Sequence, residues 1–392
     1  VEEYDATSSK YSDEKFDLIC ISAVISASRR AKEISKFWKD RGAYVQIGGH
    51  YATVLSDEAL EYFDTVIKGP AEIAFPSFIK DFVEGKPKRE YFELVGNDFE
   101  YKPLNRKLLT NKKYYKSFGT IVANNGCPNK CTYCSVTKMY SGKNQLKNID
   151  FVVSEIKSNK HKKWVFYDPN FLADKSYAIN LMNELKKLKI KWACQGSIDI
   201  AKDEELVKLM SESGCIEMLL GFENINIMNI KKMNKKSNYD FDYENIIRIF
   251  KKYRILVHAS YVIGYDYDTK DYFQEILDFS NKHKFFLAGF NPALPIPGTP
   301  FYDRLKNEGR LLYDKWWLDD NFRYGKAAYT PHNMTVEEFE AGILRCKVEY
   351  NTHKNIWSRL FDGAANFRHA LIFLAVNYIN RKEIYNKKGI KL

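Results

Sequence analysis

Hydrophobic and polar positions change their period repeatedly along this chain. Between about Phe118 and Asn291, short runs rich in β-branched and aromatic residues alternate with stretches of helical apolar spacing. The runs Thr120–Ala123, Trp164–Tyr167, Lys191–Gly196, Ile216–Gly221, Leu256–Val262 and Leu287–Asn291 read as strands. The intervening Asp150–Asn159, Lys175–Leu188, Asp203–Ser213, Asp242–Tyr253 and Thr269–His283 read as helices. Two of these helices start with acidic residues, Asp203-Glu204-Glu205 and Asp242-Tyr243-Glu244, where the helix dipole favours negative charge. Strands separated by helices of this length pair in parallel, so the pattern predicts an α/β fold. Six such units describe an incomplete β/α barrel, whose active groups gather at the C-terminal ends of its strands.

The region before the barrel repeats the alternation. Phe16–Ser22, Tyr44–His50 and Thr65–Gly69 read as strands, with Ala27–Arg41 and Ser56–Glu61 as helices. Two of these strands end in Gly48-Gly49 and Gly69-Pro70, which let a ligand come close to the backbone. Arg310–Leu392 reads as a helical cap. Its aromatics Trp316, Trp317, Phe322, Tyr324 and Tyr329 are assigned mainly to packing, with the lining of a pocket as the alternative. The expected units are 1–95, a linker at 96–117, the barrel at 118–300 and the cap at 301–392.

Composition narrows the class. The chain has 392 residues, 45% of them hydrophobic, enough for two domains with substantial cores. No apolar run reaches the ~20 residues of a membrane helix, and no signal peptide is recognisable at Val1. The net charge of +11 admits nucleic acid or an acidic surface as partners. The lysines are spread along the whole chain, however, and no RNA-binding module is visible, so nucleic acid is not expected. Lys231-Lys232-Met233-Asn234-Lys235-Lys236 reads as a solvated loop, with substrate contact as its alternative.

The chemistry concentrates in Gly126-Cys-Pro-Asn-Lys-Cys-Thr-Tyr-Cys-Ser135. Cys127, Cys131 and Cys134 can converge on one soft metal centre. A four-iron cubane held by three thiolates keeps one iron open for chemistry. A structural zinc site would need a second cysteine pair or two closely spaced histidines. Cys20, Cys194, Cys215 and Cys346 form no such pair, and His161 has no partner three to five residues on. These four cysteines are assigned to packing. Scattered thiols and an oxygen-sensitive cluster point to a reducing cytoplasm.

The C-x-x-x-C-x-x-C spacing resembles the signature of the radical S-adenosylmethionine (SAM) enzymes. The resemblance implies a [4Fe-4S] cluster on Cys127, Cys131 and Cys134, with SAM on the open iron and cleaved to a 5′-deoxyadenosyl radical. It places Tyr133 beside the adenine, and Asp168 and Asn170 at the turn that holds the SAM amino group. Ser197 and Asp199 fall where relatives contact the carboxylate or ribose; Asp199 as cap of the next helix is the alternative. Glu223, in Gly221-Phe-Glu223, resembles the family's Gly-Ile-Glu element, and Ile263 falls in the segment that packs on adenine. Pro295–Pro300 matches a phrase found after the sixth strand.

The first region resembles the shortened Rossmann-like, cobalamin-binding domain that precedes the barrel in many radical SAM proteins. Gly48-Gly49-His50-Tyr51-Ala52-Thr53 and Gly69-Pro70-Ala71-Glu72 carry this likeness. It implies Ser22, Gly48, Gly49, His50 and Gly69 as cobalamin contacts, His50 as a hydrogen-bonding group rather than a cobalt ligand. Ser22 and Ser26 as helix caps are the alternative. The Asp-x-His-x-x-Gly loop is absent, and a vestigial domain that has lost its cofactor is the other reading.

The implied function is cobalamin-dependent methylation of an unactivated carbon in a small-molecule, lipid or peptide substrate. Flavodoxin or ferredoxin would be the electron donor. The alternatives are a cobalamin-independent oxidoreductase, cyclase or rearrangement catalyst, and a cluster-bearing RNA-binding or RNA-modifying protein.

Overall fold

The structure is a computed structural model that describes residues 14–96, 99–106, 118–239, 242–362 and 364–387. Most of the expected linker, 97–98 and 107–117, therefore lies outside the described residues.

The first sheet is built from β1 (Leu18–Ser22), α1 (Ser28–Lys39), β2 (Tyr44–Gly48), α2 (Gly49–Val54), α3 (Ser56–Leu60), β3 (Thr65–Lys68), α4 (Ala71–Val83) and β4 (Glu90–Phe92). Its four strands run parallel in the order β1-β2-β3-β4. The sequence reading anticipated β1 to β3 but neither α2, α4 nor β4.

The barrel follows: β5 (Gly119–Ile121), β6 (Asn124–Asn125), α5 (Val136–Met139), β7 (Gln145–Leu146), α6 (Ile149–Lys157), β8 (Lys163–Phe166), α7 (Lys175–Leu188), β9 (Lys191–Ser197) and α8 (Glu204–Glu212). It continues with β10 (Cys215–Glu223), α9 (Ile227–Lys232), α10 (Tyr243–Lys252), β11 (Leu256–Ile263), α11 (Tyr272–His283) and β12 (Leu287–Pro292). Six parallel strands stand in the order β5-β8-β9-β10-β11-β12, the six that the sequence predicts. Aspartates start three of the crossover helices: Asp174, Asp203 and Asp242 each accept a backbone N–H of the first turn of α7, α8 and α10. Asp203 therefore takes the capping role that was the alternative for Asp199. The rings of Trp164, Trp192, Phe222, Tyr261 and Phe290 belong to one continuous core.

The last helices are α12 (Pro300–Asn307), α13 (Val336–Tyr350), α14 (His353–Leu360), α15 (Ala365–Arg368) and α16 (Ala370–Asn386). The expected cap splits in its packing. Trp316, Trp317 and Phe322 join the core of the first sheet, with Ala31 and Trp38 of α1. The Trp316 indole N–H donates to the Pro295 carbonyl at 2.7 Å, and that of Trp317 to Glu58 at 3.2 Å. By contrast α13 packs on α11 and β12. These tryptophans thus fasten the first sheet to the segment leaving the barrel, which agrees with a packing role. No helix among the described residues is long and apolar enough to cross a membrane.

Candidate functional site

The cysteine run leaves β5 and β6 through Gly126, whose φ of +89° suits glycine. A Cβ there would also lie 2.0 Å from the Lys143 carbonyl oxygen. Beyond it the loop is pinned from two sides. The Thr132 N–H donates to the Met233 carbonyl at 2.9 Å, and the Thr132 carbonyl accepts from the Phe301 N–H at 2.9 Å. The Asn234 amide donates to the Lys130 carbonyl at 2.9 Å. All seven cysteines are free thiols. Burial pushes the Cys131 thiol up to about 11, with Lys235 pulling the other way. A bound cation reverses that direction, because a coordinating thiol is deprotonated. Among the described residues no three His, Cys, Asp or Glu side chains are grouped to hold a single metal ion. A cubane asks for a wider arrangement, since each thiolate binds a different iron.

Cys127, Cys131 and Cys134 line one cavity of about 230 Å³ at the C-terminal ends of the barrel strands. Of the residues predicted for SAM, Tyr133, Asn170, Ser197 and Glu223 line the same cavity. The Asn170 and Asn129 amides both donate to the Ser197 hydroxyl at 3.3 Å. Asp168, Asp199 and Ile263 are not among the lining residues. The Asp168 carboxylate turns back toward β5 and accepts from the Ala123 N–H at 2.7 Å, while its Oδ2 is buried without a hydrogen-bond partner. Burial lifts this carboxyl to about 7. Asp199 is exposed. Ile263 is fully buried, its carbonyl accepting from the Ala293 N–H at 2.7 Å.

The largest departure from the sequence reading is Lys235. In the run taken as a solvated loop, Lys231, Lys232 and Lys236 are exposed, but Met233 and Lys235 are buried. The Lys235 ammonium reaches Glu223 Oε1 at 2.7 Å inside the cavity wall. Burial alone would lower the Lys235 pKa; the Glu223 carboxylate and the thiols outweigh it and hold the pKa above its ordinary value. Glu223 also bonds the Tyr133 hydroxyl. It sits at φ +60°, where β10 shifts register against β11. That strained backbone turns the carboxylate inward. Gly221 is required here, since a Cβ would stand 2.3 Å from Glu223 Oε1 and 3.0 Å from Lys235 Nζ. Gln195 and Ser260 also line the cavity and were not predicted. Strand alternation held a signal for one of them, since Gln195 shares its face with Ser197.

At the first sheet, Ser22 is exposed at the end of β1. A Cβ on Gly49 would lie 2.9 Å from the Ser22 hydroxyl and the Ala23 carbonyl, and one on Gly69 would lie 3.1 Å from the Phe92 ring. Gly48 is the N-cap of α2. Neither Ser22 nor Ser26 caps α1, whose N-cap is Ala27. His50 Nε2 is buried without a hydrogen-bond partner, and burial lowers the pKa of the ring.

Residues 121–280 match the family model of the radical SAM superfamily. The bacteriochlorophyllide d C-12(1)-methyltransferase of Chlorobaculum tepidum is 26% identical over 381 residues, 94% of this chain and 81% of that protein. The hopanoid C-2 methylase of Rhodopseudomonas palustris is 27% identical over 237 residues, 58% of this chain and 44% of that protein. Among solved structures, the radical SAM methyltransferase TsrM of Kitasatospora setae, with cobalamin and a [4Fe-4S] cluster bound, superposes with a TM-score of 0.65 at 17% identity. The match covers 76% of this chain and 68% of TsrM. The cobalamin-dependent enzyme OxsB gives 0.58 at 16% identity, over 75% of this chain and 47% of OxsB, and the two share the fold described here. Three thiols on one loop at the head of a six-strand parallel barrel, and a matching domain model over that barrel, make this chain a radical SAM enzyme.

Proposed function

We propose that the protein methylates an unactivated carbon of its substrate by a radical route, with a corrinoid as methyl carrier. The observation that carries this reading is the single cavity shared by Cys127, Cys131, Cys134 and the buried Glu223–Lys235 pair. Three soft thiolate donors with no disulfide among them fit a [4Fe-4S] cluster. When bound, cluster and SAM supply one-electron cleavage to a 5′-deoxyadenosyl radical, and cobalamin supplies a transferable methyl group.

The chain's own part is binding, orientation and exclusion of water. Cys127, Cys131 and Cys134 would hold the cluster. Glu223 and Lys235 offer an acceptor and a cation to the amino-acid end of SAM. Asn170, Ser197 and Asn129 form a hydrogen-bonded ledge beside them, and Tyr133 presents a ring whose hydroxyl is tied to Glu223. Asp168 supports the ledge from behind through the Ala123 backbone. The buried strand ends keep stray hydrogen donors from the radical.

Ser22, Gly48, Gly49, His50 and Gly69 would hold the corrinoid, and the unpartnered His50 Nε2 favours a polar ligand there. The close approaches at Gly49 and Gly69 are made by the chain's own Ser22, Ala23 and Phe92, which favours the second reading, a radical enzyme without cobalamin. In this reading 1–95 is the corrinoid unit, 118–300 the radical unit and 301–392 the cap. The substrate is a small molecule, lipid or peptide; flavodoxin or ferredoxin supplies the electron, in a reducing cytoplasm.

Anaerobic reconstitution with iron, sulfide, SAM and a reductant tests the core of the proposal. Absence of 5′-deoxyadenosine would sink it. SAM carrying a deuterated methyl group then separates the two readings: label in the product supports methylation, and unlabelled product supports the second.

A further inference from the structure

A larger cavity, about 760 Å³, lies between α4, the segment 99–106, β5 and α6. It shares no lining residue with the cysteine cavity, yet the two stand back to back. Val122 and Tyr167 line the larger, Pro169 and Asn170 the smaller, and the Asp168–Ala123 hydrogen bond runs between them. Ile73 of α4, Ile121 of β5 and the rings of Tyr101 and Phe151 give the larger cavity apolar, flat-sided walls.

Its polar end is incomplete. Glu155 is only 2% exposed, and its Oε2 lies 3.6 Å from Arg106 Nη2. Their other atoms are used: Glu155 Oε1 accepts from the Leu104 N–H at 3.1 Å, and Arg106 Nη2 donates to the Thr120 carbonyl at 2.8 Å. Glu155 Oε2 and Arg106 Nε, however, are buried with no hydrogen-bond partner. Buried polar groups are normally satisfied. An open acceptor beside an open donor, at the end of an apolar cavity, matches a group that gives one hydrogen bond and takes one.

We propose that this cavity binds the substrate, a small molecule with a flat apolar body ending in a hydroxyl or carboxamide. That group accepts from Arg106 Nε and donates to Glu155 Oε2. Its role as substrate site rests on the radical reading above, whereas its capacity to bind such a molecule does not.

Fluorescence titration of the full chain with 1-hydroxypyrene, and with pyrene as the analogue lacking the hydroxyl, tests the site. Saturable one-to-one binding is expected, with hydroxypyrene about tenfold or more tighter than pyrene. Ile73→Trp and, at an exposed lining position, Ser77→Trp fill the cavity and abolish binding of both probes. Glu155→Leu keeps pyrene binding and removes most of the preference for hydroxypyrene. No saturable binding to the folded chain overturns the proposal, as does binding that both tryptophan variants leave intact. Equal affinity for the two probes overturns the assignment of the polar end. Probe binding needs neither cluster nor SAM. Its failure alongside normal 5′-deoxyadenosine formation rejects the cavity alone, and the converse rejects the radical reading alone.

Discussion

Lys235 Nζ and Glu223 Oε1 meet at 2.7 Å, with side chains only 11% and 8% exposed, although they belong to different segments of the barrel. Breaking a buried pair leaves one charge uncompensated and costs about 3–5 kcal/mol. Lys235→Met is therefore expected to lower unfolding stability by that order. The double variant Lys235→Met with Glu223→Gln should recover part of it. Both should lose SAM binding. Urea unfolding and equilibrium dialysis with SAM read the two effects separately; wild-type stability in the single variant would count against the pair.

Gly221 leaves the space that this pair occupies. Gly221→Ala places a methyl 2.3 Å from Glu223 Oε1, and overpacking of this kind costs about 1–3 kcal/mol. Because the displaced group is the cavity's carboxylate, SAM affinity should fall about tenfold or more, a loss of ~1.4 kcal/mol in binding. Unchanged affinity would show that Glu223 does not touch SAM.

Replacing any one of Cys127, Cys131 or Cys134 by alanine should abolish bound iron and sulfide after reconstitution. Cys194→Ala and Cys346→Ala, at buried packing positions, should retain both at the cost of some stability, about 1 kcal/mol. Chemical iron and sulfide analysis decides it, and a retained cluster in any of the first three removes that residue from the ligand set.

Burial lifts the Asp168 carboxyl from 3.8 to about 7. The folded protein then holds a proton that the unfolded chain has released between about pH 4 and 7, so stability falls as pH rises through this window. The slope contributed is at most about 1.4 kcal/mol per pH unit. Asp168→Asn should flatten it while keeping an acceptor for the Ala123 N–H. Urea unfolding of cluster-free protein at several pH values between about 5 and about 8 measures the difference. Parallel pH profiles for the two proteins would place the titration elsewhere.

Six barrel strands and five crossover helices were legible because each buries a face long enough to show its period. What escaped was short or contradictory. In the first sheet, β4 has three residues, too few for alternation. Pro76 lies inside α4 and reads as a helix breaker, while α2 begins on Gly-Gly, which no helix signal accompanies. At the site, the cysteines, Asn170, Ser197 and Glu223 stood out by their positions at strand ends. Lys235 did not, because one lysine in a run of like charges carries no local sign of which way it points. The buried Met233 two residues before it was the only hint. Asp168 failed in the opposite direction: the strand end was right, but backbone donors of β5 captured its carboxylate.

The cysteine loop owes its shape to Met233, Asn234 and Phe301, all far downstream of Cys134. During synthesis the three thiols therefore emerge from the ribosome long before the partners that shape their loop exist. Iron and sulfide must then be delivered to a finished barrel rather than to a nascent chain, and truncations short of Phe301 should emerge with a malformed metal cradle even where the cysteine motif is intact.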